Sequence, residues 1–298
     1  MKSIKKSIIF ALLTSFVMLA GCSANSSQAE TTVSESSTAS SEASETSAET
    51  TAQPSETTAA ESGPVLPLTE NTSGKVMIQT VSDSYAYKYN SYIITSVDGE
   101  AVVVDPTSMP PKSVIDLNPA AIVNTHGHPD HVDDAFQKSY DCQKICHVVD
   151  DINTKDFHIY SFPSAHSGDV VNEQTGNVII VFEVNGLRIA HMGDCGQTSL
   201  TEEQLEKLGD IDIAFMQFEN SYSSMTLENE KGFKLMEQLN PKIVIPTHYM
   251  LKTVDVFKEK YGDITECDNV LEISKEDLEN LPKERLNFYI ISNTHSYK

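Results

Sequence analysis

The chain has 298 residues, a formal net charge of −22 at pH 7 and five cysteines. An acidic excess this large, with no Lys/Arg cluster to offset it, repels phosphate backbones and argues against nucleic acid as a partner. The length allows one sizeable core, which needs no disulfide framework to be stable.

In chain order, Lys2, Lys5 and Lys6 precede an apolar run from Ile8 to Ala20. That run is shorter than the roughly 20 residues of a membrane-spanning helix. Small residues follow it, the pattern of a cleaved export signal over residues 1–21. Leu19-Ala20-Gly21-Cys22 is similar to a bacterial lipobox. The similarity implies that Cys22 carries lipid, palmitate included, and becomes the mature N-terminus of a lipoprotein held on the extracytoplasmic face of the cell membrane. A two-chain acyl anchor suffices for stable attachment. Residues 22–73 are mostly Ser, Thr, Ala and Glu, with neither Lys nor Arg. Such a segment buries too little apolar surface to offset its ordering entropy, and is expected to be a disordered tether.

A folded domain is expected over residues 74–298. Short Val/Ile-rich runs read as strands at Ser91–Thr95, Ala101–Val104, Ala121–Thr125, Val178–Phe182, Leu187–Ala190, Ile211–Met216, Lys242–Pro246 and Asn287–Ile291. Asp98-Gly99 and Asn185-Gly186 each lie between two runs and favour tight antiparallel hairpins. Ser199-Leu200-Thr201-Glu202 fits a helix capping box, and Leu227–Leu239 has helical period up to the stop at Pro241. Hairpins first and strand–helix alternation later predict a layered mixed α/β domain. Cys142, Cys146, Cys195 and Cys267 are expected to be free or structural.

Three of the strands run into residues able to bind metal: Ala121–Thr125 into His126, Leu187–Ala190 through His191 to Asp194, and Lys242–Thr247 into His248. Polar groups on loops at strand ends are the usual geometry of a site in layered α/β proteins. His126, His128, Asp130 and His131 fall within six residues. On an extended loop His126 and His128 point the same way and can share one cation, while Asp130 and His131 face a second. Imidazoles and a carboxylate without thiolates suit Zn²⁺, Fe or Mn²⁺.

The run Thr125-His126-Gly127-His128-Pro129-Asp130-His131 resembles the signature of the metallo-β-lactamase-fold superfamily. The resemblance continues in Gly186–Asp194 and in Ile243–Tyr249, closest to the uncharacterised and lactonase-like hydrolases. It implies an αββα four-layer sandwich with two divalent metal ions, zinc first among the candidates, at one edge of the sheets. Carried onto this sequence, His126, His128 and His166 would bind one metal, with His158 the rival to His166. Asp130, His131 and His248 would bind the other, and Asp194 would bridge both. Asp105 would brace the His126 loop from behind, as outer carboxylates orient imidazoles. His191 is expected to pack beside the site; His147 and His295 have no metal-like context, and Cys195 is expected to be a packed thiol. The implied activity is hydrolysis of a small ester, lactone, amide or phosphodiester, with Asp130 orienting the attacking water. Where relatives tend to have a Gly-rich turn, this chain has Gln217–Tyr222; Glu219 or Tyr222 could touch substrate there, a plain loop being the expectation. An iron-dependent redox enzyme of the same fold and a non-catalytic metal- or ligand-binding surface lipoprotein are the alternatives.

Overall fold

A computed structural model describes residues 68–82, 91–172, 174, 176–262, 264–282 and 287–291. The export signal, the lipobox with Cys22, the tether up to residue 67 and His295 lie outside the described residues. Contacts with the domain begin before Gly74. Thr69 pairs through its backbone with the Gln79 side chain, and Asn71 Nδ2 donates to the carbonyls of Lys75 and Ser96.

Two sheets face each other. The first contains β1 (Val76–Gln79), β2 (Tyr92–Thr95), β3 (Ala101–Val104), β4 (Ala121–Asn124) and β5 (Gln143–Cys146). The second contains β6 (Asp151–Asn153), β7 (Phe157–Ala165), β8 (Gly176–Val184), β9 (Leu187–His191), β10 (Ile213–Gln217), β11 (Ile243–Thr247) and β12 (Thr265–Cys267). β13 (Val270–Ile273) returns to the first sheet, and β14 (Asn287–Ile291) lies in the second. The spatial orders are β13-β1-β2-β3-β4-β5 and β12-β14-β11-β10-β9-β8-β7-β6. The two expected hairpins, β2–β3 and β8–β9, are antiparallel. Asn185 and Gly186 both take positive φ, as the tightest hairpin turns require.

Side-chain alternation along the strands builds the layers. Val102 and Val104, Ala121 and Val123, Ile180 and Phe182, Ile213 and Phe215, and Ile243 and Ile245 point into one core between the sheets. Their intervening neighbours point outward. Val103 and Ile122 meet Phe136 of α1 (Asp134–Lys138) outside the first sheet. Val181, Ala214 and Val244 meet Leu208, Phe233 and Phe257 outside the second. Those residues belong to α2 (Glu202–Leu208), α3 (Lys231–Leu239) and α4 (Leu251–Tyr261); a short α5 (Lys275–Glu279) follows. The result is the expected αββα sandwich.

Two helix starts differ from expectation. The cap of α2 is Thr201, not Ser199: its hydroxyl accepts from Gln204 N, and the Gln204 side chain accepts from Thr201 N. Ser199 instead gives its carbonyl to the Gln197 amide. α3 begins at Lys231 rather than Leu227: Thr226 and Asn229 close residues 226–229 into a single turn, and Glu230 then takes φ +57°, a left-handed conformation that a right-handed helix cannot run through.

β3, β4 and β5 are mutually parallel, as are β9, β10 and β11, and β7 shares their direction through two antiparallel steps. The loops after their C-terminal ends gather at one edge of the sandwich. The sheets are joined there by Val178 N donating to Thr125 O at 2.9 Å.

Candidate metal centre

Seven side chains converge at this edge as two overlapping groups. His126, His128, His166 and Asp194 form one; Asp130, His131, Asp194 and His248 form the other. Within each group one ligand atom per residue lies within 4.8 Å of the rest. The loop after β4 supplies four of the seven, and β7, β9 and β11 each lead into one more. His158 is elsewhere, on β7 between Glu183 and Asp151 at 3.0 and 2.9 Å. Its place at the start of the strand puts it far from His166 at the end, so the structure groups His166, and not its rival, with the others.

Asp194 divides between the groups. Its Oδ1 lies 3.0 Å from His248 Nε2 and 3.3 Å from His131 Nε2. Its Oδ2 lies 3.3 Å from His166 Nε2 and 3.6 Å from His126 Nε2. The nitrogens also crowd one another: His126 Nε2 is 3.2 Å from His128 Nδ1, and His131 Nε2 is 3.2 Å from His248 Nε2. Nitrogens bound tetrahedrally to one cation at 2.0–2.1 Å stand about 3.3–3.4 Å apart. The spacings suit donors turned towards a shared centre. The buried atoms His166 Nε2 and Asp194 Oδ1 have no hydrogen bond of good geometry despite these close neighbours. Buried polar atoms are normally satisfied, and a bound ion would supply the missing partner. The donor set of each group therefore fits a metal ion.

Burial works against the charged forms of His126, His131 and Asp194. It pushes the His126 imidazole down to about 2, with the nearby His131 acting in the same direction. His131 is also desolvated, but Asp105, aided by Asp194, raises it to about 10. The Asp194 carboxyl, buried too, is held well below the usual range by His248, His131 and His166. Two buried carboxylates thus sit in a field that holds positive charge at the centre.

Asp105 follows β3 with φ +46° and lies wholly buried beneath the loop. Its carboxylate accepts from Thr125 N and Thr125 Oγ1, each at 2.7 Å, and lies 2.7 Å from His131 Nδ1. That contact leaves His131 Nε2 to face the centre. His191 packs behind, its Nδ1 accepting from Gly193 N at 3.1 Å. Cys195 is buried and its thiol is pushed up to about 11 by desolvation, an inert packed thiol rather than a nucleophile. His147 joins neither group, although its ring packs over Gly127.

Two supporting residues, Asn220 and Asn177, carry no mark of their role in the sequence, and a third, Gly193, lies within the Gly186–Asp194 match. Asn220 Nδ2 donates to Asp194 Oδ2 at 2.6 Å, and its Oδ1 accepts from Tyr222 N. Asn177 Oδ1 accepts from Asp194 N at 3.0 Å. Gly193 has φ +54°, and a Cβ there would come within 2.4 Å of Asn177 Oδ1 and 2.6 Å of Thr125 Cβ. Only glycine fits this turn between sheets. Glu219 is tied to the start of α4, to Lys252 at 2.9 Å and to the Thr253 hydroxyl, which fits the expected plain loop.

An αββα sandwich with paired His/Asp groups at one edge defines a class of metal-binding proteins. A family profile described as the β-lactamase superfamily domain matches residues 85–248, more than half of the chain. The chain belongs to that family. A metal-dependent hydrolase of Enterococcus faecalis is 26% identical over 183 residues, 51% of this chain and 79% of its own length. One of Geobacillus thermodenitrificans is 26% identical over 198 residues, 55% and 84% of the two chains. Among solved structures, a protein of Thermotoga maritima described as a Zn-dependent hydrolase of the metallo-β-lactamase superfamily superposes with a TM-score of 0.52. It is 21% identical, with 72% of this chain and 98% of that one covered, a likeness of fold.

Proposed function

We propose that the protein is a metal-dependent hydrolase working with two divalent cations, zinc first among the candidates. The observation that carries this reading is the Asp194 carboxylate, with one oxygen turned to each His group. His126, His128 and His166 would hold one cation, His131, His248 and Asp130 the other, and Asp194 both. Bound there, the cations would acidify a water towards neutral pH and polarise the bond under attack.

The remaining work falls to the chain. Asp130 is the one carboxylate of the site with substantial exposure, 25% against 1% for Asp194. It can orient the attacking water and carry its proton to the leaving group. Asp105 and Asn220 hold His131 and Asp194 in place. No serine or cysteine nucleophile is needed, and the one cysteine beside the site is kept protonated by burial. The bonds within reach of this chemistry are esters, lactones, amides and phosphodiesters of small molecules.

The site also belongs, in this proposal, outside the cell membrane. The lipobox-like Leu19–Cys22 would supply a lipid anchor at Cys22, and the Ser/Thr/Glu-rich segment after it a tether.

Metal analysis of the purified protein, paired with a hydrolysis panel run with and without chelator, tests the reading. Two equivalents of zinc and chelator-sensitive hydrolysis are expected. A metal-free preparation whose activity ignores chelator would sink it. Bound iron with oxygen uptake would put the redox alternative first.

A further inference from the structure

Eight large apolar side chains stand exposed among the described residues; five of them lie on the loops that follow or flank the metal-centre strands, and a sixth, Leu251, opens α4 directly after one of these loops. Val148 and Val149 follow β5, whose loop is tied to that of β4 by His147 N donating to Asn124 O. Val170 comes four residues after His166. Tyr222 comes two after Asn220, whose amide holds Asp194. Met250 and Leu251 follow His248. Tyr222 and Leu251 are each 83% exposed, more than any other large apolar side chain described. Apolar side chains clustered on one functional edge mark a binding surface, whereas scattered ones do not.

The charges on the same loops narrow what that surface can take. Apart from the histidines of the site and His147, Lys252 is the sole basic residue on the segments 125–133, 147–150, 166–172, 192–200, 218–230 and 248–253, and it is paired with Glu219 at 2.9 Å. Asp133, Asp150, Asp169 and Glu228 stand on those loops as well. Lys231, just beyond, donates to the carbonyl of Gly196. Sites that take phosphate esters place arginine or lysine on the phosphate oxygens. This rim offers apolar surface and negative charge.

We infer that the substrate is an uncharged ester, lactone or amide carrying an apolar acyl or aryl group, which the rim formed by Val148, Val170, Tyr222, Met250 and Leu251 covers while the carbonyl enters the metal centre. The inference rests on the hydrolase reading above and selects among its substrate classes against phosphodiesters. In the reaction, the oxygen of water bonds to the carbonyl carbon and the C–O or C–N bond breaks. One water proton goes to the departing alcohol or amine, and the acid formed releases the other.

The test uses the metal-loaded protein with 4-nitrophenyl acetate, butyrate, hexanoate and octanoate below their micellar limits, and bis(4-nitrophenyl) phosphate. Half-burying each added CH₂ would raise kcat/KM about fourfold for every two carbons. Tyr222→Ser combined with Leu251→Ser would cut the octanoate-to-acetate ratio about tenfold. Both side chains are too exposed for the change to threaten folding. A flat chain-length series, or faster turnover of the phosphodiester, overturns the inference and leaves the hydrolase reading standing. Loss of the hydrolase reading shows separately, as absent metal or indifference to chelator. Should no ester be turned over, calorimetric binding of octanohydroxamate against acetohydroxamate decides: tighter binding of the longer acyl chain supports the inference, and equal affinities overturn it.

Discussion

The parallel strands β9, β10 and β11 carry a buried aspartate at each end, in opposite circumstances. At their C-terminal ends Asp194 is surrounded by four imidazoles, and its Oδ1 lacks a hydrogen bond of good geometry. At their N-terminal ends Asp212 is equally buried but fully answered. It receives Lys242 Nζ at 2.8 Å, Lys275 Nζ at 2.7 Å and Arg188 N at 3.0 Å. A carboxylate whose partners are all fixed donors belongs to the fold. One whose neighbours are ring nitrogens able to offer lone pairs can share a metal ion with them. Burial is the same at both ends, and the chemistry of the neighbours tells them apart.

Substitution should separate the two aspartates by what is lost. Asp194→Ala removes the oxygens common to both groups. Activity should fall by more than about 10³-fold, the scale of losing a charge-stabilising group at a reacting centre, with metal content falling alongside. Metal analysis and kcat/KM measure both. An active, metal-replete Asp194→Ala protein would erase the distinction between the two ends.

The next effect sharpens the comparison from within the metal end. Asn220→Ala leaves Asp194 Oδ2 without its 2.6 Å donor, and Asp105→Asn leaves His131 Nδ1 facing an amide. Outer residues of this kind are worth about 10–100-fold in metal affinity. Competition with a chromophoric chelator reads that affinity directly. Unchanged affinity in both variants would mean that Asp194 and His131 are positioned by packing alone.

Much of this end was legible in the sequence, for a physical reason. Histidine and aspartate at strand ends within one short loop have few structural uses, so His126, His128, Asp130 and His131 announced themselves, and the strands before Asp194 and His248 pointed to the same edge. Asn220 was not legible, because asparagine in a loop after a strand is the common residue of turns, and indeed Asn220 also makes one with Tyr222. β7 escaped as well. Its nine residues include Ser161 and Pro163, which interrupt the apolar series begun by Phe157 and Ile159, and its pairing along the whole of β8 holds it in place. The edge strands β6 and β12 have three residues each and too little pattern to read. Asp212 lies inside the run Ile211–Met216 expected as a strand, whereas β10 begins one residue after it, and its partner Lys275 is 63 residues away.

At the other end, Asp212→Asn should cost stability and spare the chemistry. The two lysines are about half exposed and can turn to water when the charge is gone. The loss is therefore about 1–2 kcal/mol, short of the 3–5 kcal/mol of breaking a fully buried pair. Denaturant unfolding checks it, with metal content and kcat/KM per folded molecule close to those of the parent protein. A drop in metal content would show that the two ends are coupled through the strands.

The smallest effect is the pH dependence of that same contribution. Burial would raise the Asp212 pKa, but Lys242, Lys275 and the Arg188 backbone outweigh it and leave the group below its ordinary value. A carboxylate of about 3.9 when unfolded and lower when folded stabilises fully above the unfolded value. The contribution fades as pH falls through the folded value, where the native state takes up its proton. The stability gap between the parent and Asp212→Asn should thus be constant from pH 7 to about 5 and shrink as pH drops below 4. Other buried acids act equally on both proteins, so the difference isolates Asp212. Measured in chelator, it is also free of any change in metal binding. A gap that widens in acid would mean that the lysines do not hold Asp212 charged, and the contrast with Asp194 would then rest on geometry alone.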